Sequence, residues 1–379
     1  MKNLLITGGA GFIGSHLCRV LQGLNLNITV LDNLSPQIHG HSATEPKWLK
    51  EYGINFIKGS VTSRDELENA LKGTDAIVHL AAETGTGQSM YEIEKYNNVN
   101  SQATALMLDI IANKKHHNVK RILLASSRSV YGEGAYSCNN CDDVQRITPA
   151  PRTPQQLEAN AWTASCPSCG SILESQPTKE TDLIRPASIY ASTKYAQEDL
   201  IAIACESLGI GYGILRLQNV YGEGQSLNNP YTGILSIFST RIRRGLELPI
   251  FEDGLETRDF VHVEDVVHSF KAALLKEQSP NSIVNVGTGE LTTVIDIATK
   301  LSLAFGKEPK IKVTGQYRLG DIRHNRADIN KLKEVLDYTP SISLENGLSR
   351  FVNWVLEQPL PEDQLEKANK ELKDRNLMG

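Results

Sequence analysis

No stretch of this chain is apolar enough to cross a bilayer, which excludes a helical membrane protein. The opening residues, MKNLLITGG, turn glycine-rich too early for a secretory signal, so cytoplasm is the expected compartment. Neither sign of charge dominates: 39 Lys+Arg stand against 44 Asp+Glu, a net of −5, with both signs scattered along 379 residues. A nucleic-acid or membrane-surface partner calls for a basic face, and none is legible. The longest basic run, NKKHHNVKR at 113–121, precedes an apolar strand and reads as a solvated helix end. Internal repeats are also lacking. Cysteine is scarce, six in all, and four of the six fall in two short knuckles. Without a secretion signal, reduced cysteines holding a metal are favoured over disulfides.

What is present is a strict alternation. NLLIT (3–7), NITVLD (27–32), INFIKG (54–59), AIVHLAA (76–82) and RILLASS (121–127) are short apolar strands, with helical spacing over 12–23 and 188–208. Such an order predicts an α/β fold, a Rossmann-type doubly wound parallel sheet covered on both faces. Residues 1–134 and 179–222 are expected to form the dinucleotide-binding domain, with 259–285 returning to it. Residues 135–178, proline-rich and without periodicity, read as an insertion. A smaller C-terminal α/β substrate domain is expected from 223–258 and 286–360. The charged segment 361–379 reads as a solvated helix or tail. His79, in an apolar strand, is expected to be packed; His39, His41, His116 and His117 are expected in solvent.

TGGAGFIG (7–14) lies between the first strand and the first helix. Gly8, Gly11 and Gly14 suit a tight turn, a close backbone approach to a pyrophosphate, and close helix–sheet packing. The helix N-terminus offers free N–H groups to the phosphates. Asp32 ends the second strand 18 residues beyond Gly14, placed to bind adenosine ribose hydroxyls and to repel a 2′-phosphate. NAD is therefore the expected cofactor.

YASTK puts Tyr190 and Lys194 four apart, on one helical face. A tyrosine is a poor base at its ordinary pKa of about 10. A nearby ammonium and a positive nicotinamide ring would stabilise its phenolate. Ser127, at the end of RILLASS, is placed to bind the same substrate oxygen.

Together with VHLAA (78–82), SSRSVYG (126–132), RLQNVYG (216–222), TRDFVHVEDV (257–266) and RLGDIRHN (318–325), these motifs resemble the extended short-chain dehydrogenase/reductase family, in particular its nucleotide-sugar epimerases and dehydratases. The resemblance covers nearly all of the chain outside about 135–178. It implies Tyr190 as acid/base, Lys194 as its partner on the ribose, and Ser127 as the assisting hydroxyl. It implies that Phe12, Ile13, Asn33, Ser60, Val61, Leu80, Ala81, Ala82 and Asn100 complete the cofactor site. Thr84, Arg128, Asn219, Arg258 and Arg318 are the expected substrate contacts, the last three on a diphosphate, whose oxygens suit arginine forks. It also implies a homodimer built from helices at about 89–113 and 188–208.

Two departures carry information. Many relatives place Asp where Ser60 stands, so one adenine contact is weakened. Dehydratases carry an Asp-Glu pair after the catalytic Ser/Thr, where this chain has Arg128 and Ser129. Without a carboxylate to drive elimination, epimerisation by transient oxidation is the expected reaction. The stretches 81–93 and 215–241 are most similar to the branch acting on dTDP-L-rhamnose, which implies dTDP-6-deoxy-L-talose as the product. The alternatives are a UDP-hexose 4-epimerase, an NAD(P)H-dependent ketoreductase, and a non-catalytic NAD-sensing scaffold; the intact Tyr190–Lys194 pair argues against the scaffold.

The knuckles are Cys138-x2-Cys141 and Cys166-x2-Cys169, separated by 24 residues. Four thiolates fill a tetrahedral zinc site and leave no open position, which predicts structural rather than catalytic zinc.

Overall fold

The computed structural model describes residues 1–114, 117–141, 145–229, 231, 233–276 and 281–379. The expectation for His116 lies outside them. The apolar runs pair in parallel as one seven-stranded sheet: β1 Asn3–Thr7, β2 Asn27–Asp32, β3 Asn55–Lys58, β4 Ala76–His79, β5 Arg121–Ser127, β6 Gly211–Leu217 and β7 Ser282–Val286. Their order is β7-β6-β5-β4-β1-β2-β3. Strand addition reverses at β1, where Thr7 lies beside Leu31 on one side and His79 on the other. Such a reversal leaves a crevice at the strand C-termini, the usual place for a ligand in this architecture.

Both faces of the sheet are buried, which is why its strands read as continuous apolar runs. The main helices are α1 Phe12–Val20, α2 Ala103–Asn113, α3 Ile189–Leu208, α4 Ile234–Arg243, α5 Val263–Leu275, α6 Val294–Ala304, α7 Leu344–Glu357 and α8 Leu365–Lys373. Leu4 and Ile6 point to one face and pack with Leu17 of α1 and Phe270 of α5. Leu5, between them, points to the other face with Met107 of α2 and Ile201 of α3. A third core joins Phe238, Ile297, Leu348 and Phe351 from α4, α6 and α7. Among the described residues, no helix is long and apolar enough to cross a membrane.

A buried ion pair fixes α3 on the sheet. Arg216 of β6 donates to both carboxylate oxygens of Glu198, with Nη2–Oε2 at 2.6 Å, and to the Tyr131 hydroxyl at 2.8 Å. Both partners are 2% exposed, so neither charge has water as a substitute. Glu198 lies one turn beyond Lys194, and the pair therefore locks the helix that carries Tyr190.

The insertion has its own small core of Tyr136, Cys138, Cys166 and Leu173. Its proline-rich connector carries the anchor. Arg152 is buried and donates to Glu133 at 3.0 Å, to Glu252 at 2.8 Å and to the Asp321 carbonyl at 2.9 Å.

The segment 361–379 departs from the solvated helix expected of it. Leu365, Ala368 and Leu372 form an i, i+3, i+7 stripe on α8 and are buried, as is Met378. Dense charge on the other positions hides that stripe in the sequence.

Candidate active site

The crevice at the strand C-termini is a cleft of about 620 Å³. The glycine loop forms its floor. Gly8 has φ +68°, and a Cβ there would sit 2.7 Å from the Ala81 nitrogen. A Cβ on Gly14 would sit 2.5 Å from the Gly9 Cα, so α1 approaches its own loop only because both lack side chains. Helix α1 begins after Gly11 without a side-chain cap, which leaves its first N–H groups facing the cleft. Asp32 lines the cleft, accepting from the backbone N–H groups of Ala10 at 3.0 Å and Leu34 at 2.8 Å. Phe12, Ile13, Asn33, Ser60, Val61, Leu80, Ala81 and Ala82 line it too.

Tyr190, Lys194, Ser127, Arg128, Thr84 and Asn219 meet in the same cleft. Ser127 ends β5. Tyr190 sits in the first turn of α3, capped by the Ser188 hydroxyl, which accepts from Ala191 at 3.2 Å. The Tyr190 N–H donates to Ser89 Oγ at 3.0 Å, and the ring meets Tyr96 edge-on at 6.4 Å. Burial pushes the Tyr190 phenol above its usual pKa; the hydrogen bond with Ser127 and the charge of Arg128 act the other way. Arg128 thus adds a cationic influence on the phenol that the sequence did not assign. Burial drives Lys194 down to about 7, opposed by Glu198, so this lysine holds its proton weakly near neutral pH.

A chain of buried groups holds Lys194. Its Nζ donates to Gln197 Oε1 at 2.7 Å, and Gln197 Nε2 donates to Thr104 Oγ1 at 2.7 Å. Thr104 pairs with His79 Nε2 at 3.0 Å, and His79 Nδ1 pairs with Thr7 Oγ1 at 2.7 Å. Burial drives His79 down to about 3, so it is a neutral packed residue, as its strand suggests. Gln197 did not emerge from the sequence, although its i+3 spacing from Lys194 was a usable signal. Tyr231, which also lines the cleft, gave none.

Three expected site residues lie off the cleft surface. The Asn100 amide is fully engaged, accepting from the Glu83 N–H at 2.9 Å and donating to the Glu83 carbonyl and Thr193. Arg258 donates to the carbonyls of Thr257, Ile322 and Arg323. Arg318 stacks 4.6 Å over Phe251 and donates to Asn369 at 2.7 Å. Arg128 itself is driven down to about 9, by burial first and then by the charge of Arg258.

A pH profile tests the role of Arg128. Removing a cation that favours the phenolate raises the Tyr190 pKa. Arg128→Met is therefore expected to move the acidic limb of kcat against pH toward higher pH. An unmoved limb would separate Arg128 from the phenol.

Fold and site together define a protein of the short-chain dehydrogenase/reductase type. Within that class, the chain belongs to the NAD dependent epimerase/dehydratase family, whose model matches residues 4–157 and 160–287. It is 38% identical over 359 residues to a dTDP-L-rhamnose 4-epimerase of Burkholderia thailandensis, spanning 94% of this chain and 96% of that protein. Among solved structures it resembles MoeE5 in complex with UDP-glucuronic acid and NAD, with TM-score 0.74 and 27% identity, over 94% of this chain and 99% of the other. It also resembles the UDP-N-acetylglucosamine 4-epimerase of Methanobrevibacter ruminantium M1 in complex with UDP-N-acetylmuramic acid, with TM-score 0.75 and 28% identity, over 94% of this chain and 99% of the other.

Proposed function

We propose that this protein is an NAD-dependent nucleotide-sugar 4-epimerase that interconverts dTDP-L-rhamnose and dTDP-6-deoxy-L-talose. One observation supports this reading above the rest: a half-buried Tyr190–Ser127 pair shares a cleft with the glycine loop and Asp32, and the position after Ser127 carries Arg128 in place of a carboxylate. The residues present fit a dinucleotide, because Gly8 and Gly14 let the loop and α1 pack closely, and the uncapped start of α1 shares the cleft with the Asp32 carboxylate.

In this reading Tyr190, as phenolate, takes the proton of the C4 hydroxyl while Ser127 donates a hydrogen bond to the same oxygen. NAD, when bound, accepts hydride from C4 and returns it. Lys194 is the ribose contact, steadied by Gln197. Thr84 lines the sugar side, while Asn219, Arg258 and Arg318 serve the diphosphate. Once the 4-ketose has presented its other face, Tyr190 gives the proton back to the new alkoxide. No water is lost, so no carboxylate pair is needed. The test is incubation with dTDP-L-rhamnose and no added cofactor, followed by NMR for the talose isomer. Turnover of a UDP-hexose alone would move the substrate within the epimerases, and a requirement for stoichiometric NADH would make the protein a ketoreductase.

We assign residues 1–134, 179–222 and 259–285 to the cofactor domain, 135–178 to a zinc lobe, and 223–258 with 286–360 to the sugar-nucleotide domain. The four thiols of Cys138, Cys141, Cys166 and Cys169 lie within 4.8 Å of one another, with neighbouring sulfurs at 3.6 and 3.9 Å. Zinc–sulfur bonds of about 2.3 Å in a tetrahedron place sulfurs about 3.8 Å apart, so the cluster suits structural zinc. Reduced thiols fit a cytoplasmic setting. A homodimer through α2 and α3 is consistent with Ile203, which stands 69% exposed on α3.

A further inference from the structure

Residues 361–379 pack against segments that border the site. Beyond α8 the chain runs antiparallel to residues 317–319. The Tyr317 N–H donates to the Gly379 carbonyl at 2.9 Å, the Gly379 N–H returns to the Tyr317 carbonyl at 3.1 Å, and the Leu319 N–H donates to the Leu377 carbonyl at 2.9 Å. Side chains then bridge the two walls of the cleft. One oxygen of Glu371 accepts from the Tyr91 hydroxyl at 2.9 Å and from the Tyr231 hydroxyl at 2.6 Å. Tyr91 follows the stretch Thr84–Thr86, which lines the cleft, and Tyr231 lines it from the stretch after β6. Leu372 packs against Gly87, where a Cβ would come within 3.4 Å of it. Asn369 Oδ1 takes one donor of Arg318, whose Nε is buried with no partner among the described residues.

We propose that residues 361–379 form the outer wall of the sugar-nucleotide site, with Asn369 orienting Arg318 for a diphosphate and Glu371 holding Tyr231 against the cleft. This rests on the nucleotide-sugar reading above. The chemistry of the partners supports it. Asn369 is neutral, so it fixes the guanidinium without cancelling its charge. Phe251 adds a ring face and no anion. Burial disfavours the charged form of Arg318, and the charge of Asp321 alone opposes that, so the site is short of an anion. The oxygens of a diphosphate fill that lack.

Asn369→Asp tests the idea because it changes charge at nearly constant shape. In the NAD-loaded full chain, a carboxylate there pairs with Arg318 and competes with the ligand. Titration calorimetry with dTDP and with UDP is expected to show affinity at least about 10-fold weaker for Asn369→Asp, with NAD content and melting temperature unchanged. Glu371→Leu is expected to raise KM several-fold at constant kcat, and Glu371→Gln, which keeps an acceptor, to restore it. Wild-type affinity in Asn369→Asp, or loss of kcat without a change in KM in Glu371→Leu, overturns the proposal. A wild-type protein that retains NAD yet binds neither dTDP nor UDP sinks the nucleotide-sugar reading itself.

Discussion

Tyr190→Phe is expected to lower turnover by about 10³-fold while leaving NAD content and fold intact. The change removes a single oxygen. The ring keeps its edge-on packing on Tyr96, and the backbone N–H keeps its bond to Ser89 Oγ. What disappears is the group that accepts the C4 hydroxyl proton and later returns it. No neighbour is suited to replace it. Ser127 ionises far too weakly, the Arg128 guanidinium stays protonated and has no lone pair to offer, and Lys194 is engaged by Gln197. Rates measured by NMR on the sugar, with NAD released by denaturation and quantified, check the outcome. Turnover near the wild-type rate would remove the phenol from the mechanism.

Cys166→Ser is expected to abolish zinc binding and to lower the melting temperature by roughly 5 °C or more. Structural zinc contributes about 10–16 kcal/mol to the folding of small thiolate sites. Among the described residues, the core of the insertion is Tyr136, Leu173 and the cysteines, with Ile147 and Ala164 packed against them, too small to hold the lobe alone. The effect reaches the substrate side through Arg152. When the lobe unfolds, Glu133 and Glu252 lose the guanidinium between them, and removing one partner of a buried pair costs about 3–5 kcal/mol. Arg323 would then have to compensate both Glu252 and Asp253. Metal analysis should give one zinc per wild-type chain and almost none in the variant. Unchanged melting and activity after metal removal would contradict a structural role.

The parts of this molecule that a sequence displays are those governed by local rules. Strands β2 and β5 end at Asp32 and Ser127, at or just past the end of their apolar runs, because a parallel strand buried on both faces favours apolar side chains. The four cysteines carry their geometry in their spacing. Tyr190 and Lys194 share a face because four residues make about one helical turn. Long-range electrostatics is a different matter. Lys194 is four residues from Tyr190, yet a further cation acting on the phenol, Arg128, comes from the turn just after β5, which only the packing of α3 on the sheet reveals. Arg258 and Arg318 were legible as residue types, but their orientation depends on carbonyls at 322–323 and on Asn369, 51 residues beyond Arg318. Helix α8 hides its buried face because nine of the nineteen residues from 361 to 379 are Asp, Glu, Lys or Arg, and that density masks the Leu365–Ala368–Leu372 stripe.

Hydride leaving C4 and returning to the same carbon is the central claim, and an isotope reads it directly. With dTDP-L-rhamnose deuterated at C4 in ordinary water, without added cofactor, the account predicts a talose product that keeps its deuterium at C4. Replacement of that deuterium by solvent hydrogen, or conversion only with stoichiometric NADH, would contradict it.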